Sequence, residues 1–233
     1  MQLKVASYNI RKAVGLDWRR KPDRVLKVLV EIDADIIALQ EVDRRFGSRV
    51  TALDPATIEA ETGYRAIRFS SRPQSLGYHG NVILARKSIH VLDARPMVLP
   101  HLEPRGAAVA DLDCGGQRVR IVGMHLGLTR KWRQLQTEAI VSELRTLEAN
   151  LPTVLMGDLN EPSLKAGVLR AFEQRHTIAQ CGPSFHASMP VFSLDRIIVT
   201  EDIAIAETGV HHSPLSREAS DHLPIWAKLT LPG

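Results

Sequence analysis

Short apolar runs that stop abruptly at polar residues constrain this chain more than any other feature. Leu3-Lys4-Val5-Ala6 runs into Ser7-Tyr8-Asn9, Ile36-Ile37-Ala38-Leu39 into Gln40-Glu41, residues 118–124 into His125, and Thr153-Val154-Leu155-Met156 into Gly157-Asp158-Leu159-Asn160. Two later runs carry the polar group in front: Leu194-Asp195 precedes residues 196–199, and Ser220-Asp221-His222 precedes residues 223–229. Runs this short and rich in Val and Ile read as β-strands. A carboxylate, amide or imidazole set against a buried strand is costly unless it is paired or binds something. Any one of these could be an ordinary turn residue, since Asp and Asn favour turns. Six together fit that explanation poorly. Antiparallel pairing brings the end of one strand beside the start of the next, so all six can meet at one end of a stack of sheets.

Strands are expected at 3–8, 35–39, 81–85, 107–112, 118–124, 153–156, 196–199, 203–206 and 223–229, with Gly115-Gly116 as a hairpin turn. Helices are fewer. Residues 22–33 carry Val25, Leu26, Leu29 and Ile32 at helical spacing behind Pro22. Asp54-Pro55 reads as an N-cap with proline at the first helical position. Residues 131–149 and 164–175 complete the set, with Trp132 on an apolar side and expected in the core. Many strands with a few helices predict an α+β fold of sheets packed face to face with helices outside. The 233 residues show no repeat and no linker, so a single domain over 1–233 is expected.

Composition excludes several classes. Cys114 and Cys181 form no CxxC pair, so neither a thiolate zinc site nor a disulfide framework is indicated. No secretory leader or bilayer-length apolar run is visible, and a cytoplasmic protein is the expectation. GxSxG, HExxH and Walker signatures are absent. What remains is a set of acids and amides, hard oxygen ligands that suit magnesium or manganese better than zinc. Acids left over and two histidines would serve proton transfer and phosphoryl binding.

In their order along the chain these segments resemble the endonuclease/exonuclease/phosphatase superfamily. The matching segments run from Ser7-Tyr8-Asn9-Ile10-Arg11 through Leu39-Gln40-Glu41-Val42, Gly80-Asn81, Pro104-Arg105-Gly106, His125-Leu126, Gly157-Asp158-Leu159-Asn160 and Leu194-Asp195-Arg196-Ile197-Ile198 to Ser220-Asp221-His222-Leu223-Pro224. The resemblance implies a four-layer α/β/β/α sandwich of two mainly antiparallel sheets and a magnesium-dependent phosphoesterase. Glu41 would hold the metal, assisted by Asn9, with Asp221 nearby. Asp158 and Asn160 would position or deprotonate the attacking water. His222 would bind the scissile phosphate or move a proton, oriented by Asp195. His125 would contact a phosphate oxygen, and Arg105 and Asn81 would lie at the substrate. No carboxylate that would orient His125 is evident in the sequence, and Arg196 stands where relatives often carry an aromatic residue.

The substrate is less legible. A phosphodiesterase acting on nucleic acid or phospholipid is the first reading, a phosphomonoesterase acting on a small metabolite or inositol phosphate the second, and a non-catalytic anion-binding module the third. The third is disfavoured because Glu41, Asp158, Asn160, Asp195 and His222 are all present. No obligatory protein partner is evident, and a monomer is expected. Basic residues follow several motifs (Arg11-Lys12, Arg44-Arg45, Arg130-Lys131 and Arg133) and would ring a shared mouth with positive charge. Trp18 and Phe46, together with loops 17–21 and 70–77, are the expected substrate-facing segments.

Overall fold

The apolar runs pair into two six-stranded sheets in the computed structural model of this protein, which describes residues 1–44, 47–69, 72–147, 150–163, 167–173 and 175–232. In chain order the elements are β1 (Gln2–Asn9), α1 (Pro22–Ile32), β2 (Ile36–Gln40), α2 (Pro55–Thr62), β3 (Tyr64–Ile67), β4 (Val82–Arg86), β5 (His90–Met97), β6 (Gly106–Asp113), β7 (Arg118–His125), α3 (Arg130–Thr146), β8 (Thr153–Asp158), α4 (Gly167–Glu173), β9 (His176–Ile178), β10 (Asp195–Thr200), β11 (Ala204–Val210), α5 (Pro214–Ala219) and β12 (Ile225–Thr230). The sheets run β11-β12-β1-β2-β4-β3 and β5-β6-β7-β8-β10-β9. Each is mixed: β1–β2 and β7–β8 are parallel and the other pairs antiparallel. A parallel pair needs a crossover, and α1 and α3 supply the two. They lie on opposite outer faces, which completes the α/β/β/α order.

The two-residue period of the strands builds these layers. Leu3 and Val5 of β1, Ile36 and Ala38 of β2, Val119 and Ile121 of β7, Val154 and Met156 of β8, and Ile197 and Val199 of β10 share one core between the sheets. The alternate residues Ala6, Tyr8, Ile37 and Leu39 pack under α1. Val122, Leu155 and Ile198 pack under α3 and α4 with Ile140 and Phe172. Both faces of the central strands are covered, which is why β1 and β2 read as continuous apolar runs.

The helix signals act as expected at α1 and α2. Pro22 begins α1, and the Asp54 carboxylate accepts from Thr57 N at 2.8 Å ahead of Pro55. Gly115 and Gly116 turn the β6–β7 hairpin at φ 70° and 93°. Residues 148–149, 164–166 and 174, at the expected ends of the third and fourth helices, lie outside the described residues. Trp132, expected in the core, is only half-buried. The strands that escape the sequence are β3, β5 and β9, three of the four sheet edges. An edge strand buries less surface and has no need of a regular apolar period; the first four residues of β5 are all exposed. α5 has a capping box, but Ser216 rather than Glu or Gln closes it on Ser213, so the usual signature is missing.

The inward rows share one further property. Followed to the same end of the sandwich, each row closes on a polar residue: Asn9 on β1, Gln40 on β2, His125 on β7, Asp158 on β8 and Asp195 on β10, with Asn81 just ahead of β4. Gly157 makes the β7–β8 approach at this end possible, because a Cβ there would lie 1.8 Å from the Met124 carbonyl oxygen. Gly157→Ala must therefore separate the two strands, and should lower unfolding free energy by about 2 kcal/mol or more. Urea denaturation followed by circular dichroism measures this; a midpoint equal to wild type would refute the packing account.

Candidate active site

Strand register puts the polar residues side by side. Asp158 is paired directly with His125 on β7 and with Asp195 on β10, and Asn9 is paired with Gln40 across β1 and β2. The two sheets then bring Asn9 against Asp158, so one carboxylate at the end of β8 gathers four partners. Asn9 Nδ2 donates to Asp158 Oδ2 at 3.0 Å, and Asn160 N donates to Oδ1 at 2.9 Å. His125 Nε2 lies 3.2 Å and His222 Nε2 3.7 Å from the same Oδ2. Asp158 is 1% exposed. Burial alone would raise its pKa, but His222 and then His125 outweigh it and hold the carboxyl well below the usual carboxylate range.

The two histidines have different environments. His222 Nδ1 is 2.8 Å from Asp195 Oδ2, and Ser184 Oγ donates to the same oxygen at 2.5 Å. Burial works against the charged imidazole, but Asp195 and Asp158 prevail and push its pKa up to about 10. His125 moves the other way. Burial and the Arg105 guanidinium beside it lower its pKa despite Asp158. Arg105 Nη1 sits against both ring nitrogens, 2.6 Å from Nδ1. Arg105 can only donate, so a ring nitrogen facing it must be unprotonated and a neutral ring suits this contact. Asp158 and Arg105 therefore orient His125, the role for which no residue was evident in the sequence.

The acids predicted at the metal each hold a cation. Glu41, at φ 56°, pairs with Lys12 and lies 3.5 Å from Arg105. Burial raises its pKa, yet His125 and Lys12 more than offset this and keep it ionised. Asp221 pairs with Arg11 at 3.5 Å. Asn9 uses its amide nitrogen on Asp158 and its oxygen on Arg11 N, 3.1 Å away. Among the described residues, the acid–histidine group whose ligand atoms all lie within 4.8 Å of one another is Asp158, Asp195 and His222. Glu41, with Asp43, Gly80, His125 and Arg105, lines an adjoining cleft that Lys12, Arg44 and Arg49 make basic.

The remaining predicted residues are placed as follows. Asn160 Nδ2 donates to the Leu126 carbonyl at 2.9 Å, tying the loops after β7 and β8 together. Asn81 is fully buried and donates to the Tyr78 and Gly106 carbonyls, each at 3.1 Å. Arg196 is buried and donates to the carbonyls of Asp195 and Glu161. Of the expected basic rim, Arg11, Lys12 and Arg133 are turned into ion pairs with Asp221, Glu41 and Glu161. Arg130 and Lys131 are exposed, and Arg45 and Phe46 lie outside the described residues. So do Ser70 and Ser71 at the start of the expected substrate loop.

Two positioning residues had no signal in the sequence. Ser184 reaches Asp195 from a loop without a recognisable motif. Asp43 accepts from Ser75 Oγ, Leu76 N and Gly77 N, pinning the loop before β4 beside the cleft.

Comparison with known proteins finds a family and a fold for this chain. The model of the endonuclease/exonuclease/phosphatase family matches residues 6–222. The uncharacterized protein YbhP of Escherichia coli (strain K12) is 30% identical over 165 residues, 66% of this chain and 64% of YbhP, so the match spans under two thirds of that relative. An endonuclease/exonuclease/phosphatase structure from Bacteroides vulgatus superposes with a TM-score of 0.79 at 19% identity, covering 99% of each chain. The mannosyl-6-phosphatase Bt3783 of Bacteroides thetaiotaomicron superposes with a TM-score of 0.75 at 18% identity, covering 98% of this chain and 100% of that one. Likenesses at this identity establish the shared fold.

The contrast between the histidines is measurable in the metal-free protein. In an NMR titration His222 should remain protonated at pH 8 while His125 is neutral. His222 has a raised pKa, so the stability it contributes is complete below its unfolded value near 6.5 and is lost as pH rises through about 10. Asp195→Asn should move the His222 titration towards the ordinary range. An unmoved titration in that variant would refute the pairing.

Proposed function

Because the chain belongs to the endonuclease/exonuclease/phosphatase family, whose members hydrolyse phosphoesters, we propose that it is a magnesium-dependent phosphodiesterase. The observation that carries this reading is the buried Asp158, held ionised between a charged His222 and a neutral His125. In this reading Asp158, fixed by Asn9 and the Asn160 N–H, orients the attacking water. His222, kept charged and aimed by Asp195, donates to a phosphoryl oxygen as negative charge grows in the transition state. Arg105 adds a second cation on the His125 side.

The residues suit a divalent ion. Glu41 is a mostly buried, ionised carboxylate whose charge is balanced by Lys12 and Arg105, and its ligands are hard oxygens of the kind magnesium or manganese takes. When bound, such an ion supplies Lewis-acid stabilisation of the phosphoryl oxygens. Glu41, assisted by Asn9 and Asp221, is the set proposed to hold it.

The same chemistry accepts a monoester, and the likeness to a mannosyl-6-phosphatase favours that second reading. The basic cleft beside Glu41 would suit its extra charge. Action as a monomer in the cytoplasm belongs to the proposal; two free thiols, Cys114 and Cys181, accord with a reducing compartment.

Turnover of bis-p-nitrophenyl phosphate against p-nitrophenyl phosphate separates the two readings: the diester should be the better substrate. Chelation should abolish activity and magnesium or manganese should restore it. Glu41→Gln should cost roughly 10³-fold in kcat/KM, the scale of several kcal/mol of lost charge stabilisation, and should weaken manganese binding measured by calorimetry. Unchanged turnover and unchanged metal affinity in that variant would overturn the assignment.

A further inference from the structure

Large apolar side chains stand exposed on three loops that are rooted in the active-site residues themselves. Trp18, 77% exposed, lies on the loop after β1 with its ring 4.4 Å from the Arg11 guanidinium, and Arg11 is paired with Asp221. The second wall is the loop between β5 and β6, which returns to the sandwich at the His125 end, since Gly106 pairs with His125. It presents Leu102, 68% exposed, and the adjacent Glu103 carboxylate accepts from the N–H of Leu128, itself exposed just beyond His125. The third wall spans residues 185–192. Phe185 bridges to His222 with their rings 4.9 Å apart, Ala187 N donates to Asp221 O at 2.8 Å, and Met189, Val191 and Phe192 project outward, Met189 72% exposed. Exposed large apolar residues also occur away from this end: Val91 and Leu92 lie towards the opposite end of β5, where His90 pairs with Asp113, and Val30 and Leu135 stand on α1 and α3.

Exposed apolar side chains on several loops rooted at one polar site suit a surface that meets something apolar. Its charge is not neutral. Arg19 and Arg20 follow Trp18, and Arg130 and Lys131 follow Leu128, all exposed. The nearby acids are already engaged: Asp17 pairs with Arg24, Asp221 with Arg11, and Glu103 caps Leu128 N.

We propose that this mouth docks on an anionic lipid surface, with Trp18, Leu102, Leu128, Met189, Val191 and Phe192 entering the headgroup region and the exposed cations meeting lipid phosphates. The composition of the rim selects this partner. Among the described residues that stand exposed on these loops, Trp18 and Phe192 are the aromatic ones, whereas a single-strand nucleic-acid platform depends on stacking rings. Aliphatic and thioether side chains gain by entering acyl boundary, and Lys and Arg beside them add attraction that weakens with salt. The ester hydrolysed would then be a phosphodiester presented at that surface; this second step rests on the hydrolytic reading above, whereas the docking surface does not.

The test is co-sedimentation of the full chain with phosphatidylcholine vesicles, with and without phosphatidylglycerol, at low and high salt. Wild type should partition onto the phosphatidylglycerol vesicles, less so in high salt, and Trp18→Phe should bind comparably. The pairs Met189→Ser/Phe192→Ser and Leu102→Ser/Leu128→Ser should each weaken partition about tenfold or more, while turnover of soluble bis-p-nitrophenyl phosphate is retained. No partition, or partition indifferent to both pairs, overturns the proposal. So does loss of single-stranded oligonucleotide binding with vesicle binding intact, or a dimer in sedimentation equilibrium that the same pairs dissociate. Absence of soluble-diester turnover in wild type would instead sink the hydrolytic reading and leave the docking result standing.

Discussion

The fold closes around one buried charge. An ionised carboxylate removed from water costs several kcal/mol unless its oxygens are matched by donors and cations. Asp158 meets that requirement with Asn9, the Asn160 N–H, His125 and His222, from β1, the β8 turn, β7 and the lead into β12. No single element could supply these donors. The two sheets have to be stacked, and β7 and β10 have to flank β8 in this register, before the charge is tolerable. Removing one partner would leave the others around an under-compensated anion, which is why the constellation behaves as a unit.

That requirement also explains why so much of the site could be read from the sequence. A strand's inward row is apolar for as long as it faces the opposite sheet. Where the sandwich ends, the next inward position meets the mouth and can be polar. Leu3, Val5, Ser7, Asn9 on β1 and Val154, Met156, Asp158 on β8 show the transition within two or three steps of period two. The same period made the central strands legible and left the edges hidden, since β3, β5 and β9 have one neighbour and little buried surface to mark them. Long-range positioning was also invisible. Ser184 reaches Asp195 from a loop eleven residues earlier, and Asp43 holds a loop more than thirty residues away; neither leaves a local pattern. Lys12 and Arg11 were read as a rim of free charge, but both are paired, with Glu41 and Asp221, because half-buried carboxylates take the nearest cations.

Backbone geometry at the strand ends completes the aiming of the side chains. Glu41 has φ 56°, Asn160 φ 51°, and Arg11 to Ala13 lie between 46° and 58°. Asn tolerates the left-handed region through local hydrogen bonds, whereas for Glu it costs roughly 1–2 kcal/mol. The turn at Glu41 is over-determined from both sides: Lys12 N donates to its carbonyl at 3.0 Å and Val42 N donates to Gly80 O at 3.0 Å. Gly80 can approach because a side chain there would already crowd Glu41 Cα at 3.3 Å. Strain concentrated at a residue that several strands hold in place accords with a functional position.

Loops and chemistry are not separable in this fold. The roots of the loops are bonded to the site: Asp221 anchors Arg11 through its carboxylate and the 185–192 loop through its carbonyl, and the Asn160 amide holds the turn after His125. A change at a root would displace a carboxylate or imidazole by a fraction of an ångström, enough to lose productive geometry. Change is cheap only at the tips, at positions such as Trp18, Leu102 and Met189, whose side chains point to solvent. Divergence in substrate within this architecture must therefore be written mainly in tip residues, where single exposed side chains leave little periodic signal, while the roots and the strand ends they hold stay fixed by the electrostatics of Asp158.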